Sequence, residues 1–177
     1  ARFDDVGDAE HVLWSLRVWE PEGVVVVPNL LRYRSMPYDR TSLDVTHLQI
    51  EREIDDELSG IVAAPAAERA DAAILILSYP HWRSGTLPLT GRTRCFFPKG
   101  HPEQHSLFTW VDRTDQSEFP GWVVHDHSYV YGLVDWYRAK DVPVGAYLQL
   151  RHGDDPSRVT IELVQRRMQR DWVRTAV

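Results

Sequence analysis

The 177 residues have an ordinary composition for a packed globular protein, with 43% hydrophobic and 26% charged side chains. The net charge of −6 is uneven, because residues 1–71 hold 15 acidic and 7 basic side chains whereas residues 72–177 hold 11 and 13. The acidic first part argues against a generic nucleic-acid coat protein, and no apolar run approaches the roughly 20 residues needed to span a bilayer.

A single cysteine, Cys95, rules out an intramolecular disulfide and favours a reducing compartment. The N-terminal residues are polar and acidic, and they are not followed by the apolar run of a secretory signal. The sequence therefore predicts a cytoplasmic protein with no membrane contact.

The first predicted part, residues 1–80, is an acidic α/β region. Asp8 is a suitable N-cap for a short helix over 9–17. The β-branched run from Val24 to Val27 predicts a buried strand, and residues 32–42 predict a loop. A central strand is expected from Ala73 to Ser78, just before a boundary near residues 80–86 where Pro and Gly cluster.

The main predicted helix of this part covers about residues 46–59. Apolar residues recur there at helical spacing, at Ile50, Ile54, Leu58 and Ile61. The carboxylates between them are interpreted as a solvated acidic face rather than as a site.

The second predicted part, residues 81–177, is a mostly antiparallel, barrel-like β structure. Alternation and turn signals predict strands at Arg94–Phe97, Leu107–Val111, Trp122–Val124, Ala146–Leu150 and Val159–Leu163. One short helix is expected over about 132–139. The fold class expected for the whole chain is α+β, with the acidic helix-containing part packed on the barrel-like part.

The chain ends in a basic, partly apolar segment, Arg166 to Ala176, and stops at Val177 without a polar tail. We interpret this ending as a sign that the chain is a fragment of a longer protein, which favours a structural or protein-interaction domain of a larger assembly. The seven Trp and seven Tyr, or the acidic surface, are candidate contacts for a protein partner.

Four histidines form the best enzyme hypothesis. His125 and His127 flank Asp126, and on an extended segment their side chains share one face, as metal ligands on a strand do. His101 and His105 lie four residues apart and join them if the loop folds back. The alternative interpretation is that these are ordinary exposed histidines at turns. The glycine-rich phosphate loops and the nucleophile elbow are absent from the sequence.

The segment from Thr86 to Leu163 resembles the pseudobarrel DNA-binding domain of plant auxin-response-factor type, a fold shared with the N-terminal domain of EcoRII-type restriction enzymes. The similarity runs in order along the chain. The points of similarity are Phe97-Pro98-Lys99, the hairpin strand Leu107 to Asp112, Trp122-Val123-Val124, Tyr129-Val130-Tyr131-Gly132, the aromatic pair Trp136-Tyr137, and Gly145 to Leu150.

The resemblance implies a non-enzymatic domain that binds DNA through loops at one barrel edge, which enter the major groove. The basic residues on or beside the predicted loops are the expected contacts. They are Arg83, Arg92, Arg94, Lys99 and Arg113. No cofactor is implied, and a metal ion belongs only to the histidine hypothesis.

Overall fold

The computed structural model describes residues 3–7, 14–16, 19–32, 39, 41, 43–49, 71–101 and 103–165. The fold is α+β, with seven strands in one curled mixed sheet that forms a half-barrel and with a few short helices. Within those ranges no helix has the length and apolar character needed to cross a membrane.

The elements before the main sheet are short. Strands β1 (Phe3–Asp5) and β2 (Trp14–Leu16) form an antiparallel pair. Helix α1 (Glu22–Val25) and a 3₁₀ turn (Asn29–Leu31) follow, and residues 45–49 are helical.

The main sheet contains the other seven strands in the order β3-β8-β9-β5-β6-β7-β4. Their bounds are β3 (Ala72–Ile76), β4 (Thr86–Pro88), β5 (His105–Asp112), β6 (Glu118–Val124), β7 (Tyr129–Tyr131), β8 (Tyr147–His152) and β9 (Arg158–Gln165). Every neighbouring pair is antiparallel except β5 and β9, which are parallel. Helix α2 (Tyr79–Ser84) precedes β4, a 3₁₀ turn (Arg94–Phe96) precedes β5, and helix α3 (Val134–Ala139) follows β7.

The inner face of the curled sheet holds the larger core. Alternate residues of a strand point to opposite faces, so β5 directs Ser106, Phe108, Trp110 and Asp112 inward, where all four are buried. Apolar residues of β8 and β9 complete this core, which includes Leu148, Leu150, Val159 and Ile161.

A second, smaller core lies on the outer face of β6 and β7. Val6, Val24 and Leu31 from the first part of the chain pack there with Trp122 and Tyr129. The Tyr129 hydroxyl donates a hydrogen bond of 2.7 Å to the Gly23 carbonyl oxygen. Residues 6–31 therefore include a cover for one outer face of the half-barrel.

Three local predictions were wrong. The predicted strand Val24–Val27 begins instead within helix α1, because Pro21 at φ −59° starts a turn in which its carbonyl accepts the Val24 N–H at 2.9 Å. The predicted strand Arg94–Phe97 is mainly a 3₁₀ turn. A helix was expected over 9–17, but Trp14–Leu16 form strand β2. The other residues of that expected helix lie outside the described ranges.

Most of the elements predicted for the second part of the chain are present in the structure. Strands over Leu107–Val111, Trp122–Val124, Ala146–Leu150 and Val159–Leu163 and the helix at 132–139 are confirmed. The strand expected at Ala73–Ser78 is present as β3, but it lies at the sheet edge rather than at the centre, and it pairs with β8 across the boundary drawn near residue 80. Of the helix expected over 46–59, residues 46–49 are helical and the rest lie outside the described residues.

Candidate nucleic-acid interface

A long connection, residues 89–104, joins β4 to β5, and we call it the basic loop. Buried Leu89 donates its N–H to the Ser128 carbonyl at 2.8 Å. The Thr93 hydroxyl accepts the Thr90 N–H at 2.9 Å and donates to the Pro88 carbonyl at 3.0 Å. These bonds satisfy backbone groups that leave the sheet, so the loop begins as a fixed turn.

Two aromatic side chains anchor the middle of the basic loop. Phe97 packs edge-on against Phe108 and Trp110, with ring centroids 5.3 and 5.5 Å away. Phe96 is also buried, and its ring lies 4.7 Å from that of His152. Burying two aromatic rings stabilises one loop conformation by several kcal/mol, on the order of 2–3 per ring.

Three cations project from this anchored segment. Arg92, Arg94 and Lys99 are exposed, whereas Thr93, Phe96 and Phe97 between them point inward. Within the part of the chain that the structure describes, none of the three cationic side chains has an ion pair. Two other exposed arginines are paired, since Arg113 lies 3.0 Å from Glu162 and Arg158 lies 2.7 Å from Glu118. Exposed Arg83 resembles the loop cations, with no carboxylate partner among the described residues. The basic loop therefore presents three neighbouring positive charges that no carboxylate of the described residues neutralises through an ion pair.

The remaining two predicted contact residues lie elsewhere. Arg113 lies just after Asp112, the last residue of β5. The basic loop lies at the opposite end of this strand and leads into its first residue, His105. Eight strand residues at about 3.3 Å each separate these two ends by roughly 25 Å. Arg83 is exposed on helix α2. The structure thus brings Arg92, Arg94 and Lys99 onto one loop but does not add Arg113 to them.

The four histidines do not share a common hydrogen-bond partner. The His105 Nδ1 lies 2.9 Å from Glu20 Oε2, and the His125 Nε2 lies 2.9 Å from the Ser106 hydroxyl. The His127 Nε2 lies 3.2 Å from Asp126, and His101 is exposed. Among the described residues there is no group of three or more His, Cys, Asp or Glu side chains arranged to hold a metal ion. The metal hypothesis consequently gains no support from the geometry.

His125 nonetheless lies beside the basic loop. Its pKa is lowered to about 4, chiefly by burial, and the neighbouring Arg94 and His105 contribute in the same direction. A Cβ on Gly100 would lie only 2.5 Å from His125 Nε2 and 2.8 Å from the Ser106 hydroxyl. Glycine at position 100 therefore lets the end of the loop pass directly over the Ser106–His125 pair.

Several of these supporting residues could not be recognised from the sequence. Glu20 and His105 are 85 positions apart, and no motif links them. The Glu20 side chain is fully buried, and its Oε1 has no hydrogen-bond partner in the described part of the chain.

Cys95, near the loop cations, has a pKa raised by burial, which does not favour a reactive thiolate.

A groove of about 540 Å³ lies on the outer surface between α1, β6, β7 and α3. Its walls are mainly apolar, with Phe119, Trp122, Tyr131 and Trp136 among them. Four charged residues are also part of its lining, namely Asp115, Glu118, Asp135 and Lys140. This excess of carboxylates makes the groove unsuitable for a phosphate group and distinguishes it from the basic loop.

Comparison with known proteins adds no relative: no family model, curated protein or solved structure matches this chain. The functional argument therefore rests on the geometry and charges of the described residues.

Proposed function

We propose that this chain is a non-enzymatic recognition domain that binds the phosphate backbone of nucleic acid through the basic loop. The observation that carries the proposal is the set of three exposed cations on one anchored loop, Arg92, Arg94 and Lys99, which have no ion pair with any residue in the described ranges. Cytoplasmic location, inferred from the lone cysteine, is part of the same proposal.

Electrostatics supports this assignment. The loop carries three Lys or Arg side chains against one carboxylate, Glu103, although the whole chain has a net charge of −6. Cations that already contact carboxylates must exchange one partner for another when they bind phosphate, whereas unpaired cations do not. Each phosphate that they neutralise also releases condensed counterions from the nucleic acid, which favours binding at low salt.

The anchoring of the loop supports it as well. Binding by a mobile segment loses conformational entropy, of the order of 0.5–1.5 kcal/mol for each long side chain that becomes ordered, in addition to that of the backbone. Because Phe96 and Phe97 already fix the backbone of this loop in the folded protein, little further backbone entropy is lost when the loop binds. Arginine also matches phosphate oxygens with two parallel hydrogen bonds.

The resemblance to pseudobarrel DNA-binding domains is compatible with this proposal, since those domains recognise DNA through loops at one barrel edge. We transfer that role to Arg92, Arg94 and Lys99 only. Arg113 is already paired with Glu162 at the other end of β5, and Arg83 is on helix α2. The proposal therefore concerns one end of the half-barrel.

The test is fluorescence anisotropy with a labelled DNA duplex at about 50 mM salt and upward. Because each phosphate contact contributes about 0.9 to the slope of log K against log salt, replacing all three cations by alanine should reduce that slope by about 2–3. The matched controls are Arg113→Ala and Arg138→Ala, which remove exposed cations that have carboxylate partners. Both controls should keep the slope within about 0.5 of the parent value.

Two results would overturn the proposal. One is the absence of binding at the lowest salt concentration. The other is a triple variant whose affinity and salt dependence equal those of the parent chain while Arg113→Ala weakens binding.

The groove favours a second candidate function, the binding of a basic peptide of a partner protein. Its aromatic walls suit the stem and guanidinium of an arginine, and three of its four charged lining residues are acidic. A labelled Arg-containing peptide should bind the parent chain more tightly than the Asp135→Lys variant, because the Asp135 side chain is 98% exposed at the rim. Equal affinities, or equal binding of a Glu-containing peptide, would exclude this candidate.

A further inference from the structure

Strand β3 forms one edge of the seven-stranded sheet among the described residues. The strand pairs with β8 on one side, with Ile74 opposite Gln149 and Ile76 opposite Tyr147. In the described part of the chain no other strand pairs with it. An edge of this kind presents a row of free N–H and C=O groups to any strand that can approach it.

The direction of the backbone groups follows from the residue after the strand. Leu77 donates its N–H to the Ala146 carbonyl at 2.9 Å and accepts the Gly145 N–H at 2.8 Å, so both of its groups face β8. Alternate residues of a strand direct these groups to opposite sides. Ala73 and Leu75 therefore also face β8, whereas Ala72, Ile74 and Ile76 direct their backbone groups to the open edge.

The side chains follow the same alternation. Ala73 and Leu75 pack against the inner core, whereas Ile74 and Ile76 lie on the outer face with 55% and 57% of their surface exposed. The segment from Ala72 to Leu77 contains no charge, proline or glycine. Natural sheets normally protect an edge strand with one of these features or with a bulge.

The opposite edge of the same sheet has such protection. Strand β4 is only three residues long and ends in Pro88, which has no N–H to offer. Its first two residues, Thr86 and Leu87, are fully buried. The two edges thus differ in the property that decides whether another strand can add to them.

We propose that β3 is a self-association edge that pairs antiparallel with β3 of a second copy of this chain. A two-fold axis at Ile74 places Ile74 opposite its own copy and Ala72 opposite the partner's Ile76. All three outward-facing residues of each strand then form hydrogen-bonded pairs, and the exposed isoleucines of both copies lie side by side on one face.

The choice of a second copy rests on self-complementarity. A strand that adds to this edge places its side chains beside Ile74 and Ile76, where apolar side chains cover the exposed isoleucine surface and charged ones do not. β3 itself is apolar at every position from Ala72 to Ile76, so a second copy offers matching side chains. An antiparallel arrangement about a two-fold axis also closes the assembly at two copies.

The experiment is sedimentation velocity on the full chain over roughly 1–200 μM, combined with amide hydrogen exchange. The parent chain should show a reversible dimer. Ile74→Lys puts two ammonium groups next to each other at the axis, and Ile74→Pro removes the outward N–H without removing a bond to β8. Each should raise the dimerisation Kd at least about tenfold, whereas Val164→Lys, at a 51% exposed position on β9, should not.

Hydrogen exchange distinguishes edge pairing from association through another surface. As concentration rises, the Ile74 and Ile76 amides should become protected, while the Leu75 amide, which faces β8, should not change. A parent chain that remains monomeric throughout would overturn the proposal, as would an Ile74→Lys variant that is folded by circular dichroism and dimerises like the parent. DNA binding is measured separately, so failure here leaves the proposed function untouched.

Discussion

The indole Nε1 of Trp136 donates a hydrogen bond of 2.7 Å to the buried carboxylate Oδ2 of Asp112, and this bond joins helix α3 to the end of strand β5. Lys140 Nζ lies 2.8 Å from the same oxygen, and the Thr114 N–H donates to Oδ1 at 2.7 Å. Burial raises the pKa of Asp112, but the hydrogen bonds from Lys140, Trp136 and Thr114 together outweigh it and hold the pKa below its usual value. Asp112 is therefore a charged group that the fold fully solvates with its own donors.

Replacing Asp112 with asparagine should lower the free energy of unfolding by about 3 kcal/mol. The substitution preserves the shape but removes the charge that Lys140 neutralises, and it turns one acceptor into an N–H group facing donors. Urea unfolding followed by tryptophan fluorescence measures the loss.

The control for this substitution is Asp135→Asn on helix α3, the helix that Asp112 contacts through Trp136. The Asp135 side chain is 98% exposed, and its pairing with Arg138 at 3.6 Å is loose, so the change should stay within about 0.5 kcal/mol. Equal effects at the two positions would mean that the Asp112 contacts do not stabilise the fold.

Acidification should destabilise the protein through His81. Its ring is buried against the Thr86 hydroxyl at 2.8 Å, and burial lowers its pKa from 6.5 to about 4. Between these two values the unfolded chain binds a proton that the folded chain does not. Stability is therefore full above pH 6.5 and falls as the pH drops through this window, by roughly 3 kcal/mol from this group.

An NMR titration of the histidine ring protons measures the same effect directly. The His81 resonance should titrate with a midpoint near pH 4, and urea midpoints collected across the window should decrease towards acid. A His81→Gln variant should lose most of the pH dependence assigned to this residue. A His81 midpoint near 6.5 would contradict the prediction.

Alanine at Gly132 should destabilise the fold by at least 1–3 kcal/mol, about the cost of a strained backbone position. Gly132 has φ +122°, which side chains rarely adopt, and an added Cβ would lie 2.5 Å from the Pro120 carbonyl oxygen. Thermal unfolding compared with Gly91→Ala, whose backbone φ is not positive, tests this expectation. A Gly132→Ala variant as stable as the control would show that the turn between β7 and α3 can shift without cost.

The sequence predicted the later strands because their patterns are local and their faces differ. In β5 and β9, buried and more exposed positions alternate, and helix α3 brings Trp136 and Tyr137 together on its buried side. The predictions failed where a β-branched or aromatic run was read without its surroundings. Pro21 begins a helical turn ahead of Val24, and a cluster of threonine hydrogen bonds bends the chain before Phe96.

The sequence by itself determined the fold class, the approximate strands of the second part and the identity of the basic residues in the loop. Only the tertiary structure decided which of those residues lie together, because the separation of Arg113 from Arg94 depends on the length of β5 and on Arg113 pairing with Glu162. It also decided that β3 is an edge strand, because the same apolar run suits a central or an edge position. Pairing across 40 or more residues depends on which strands meet during folding, and no local pattern records that.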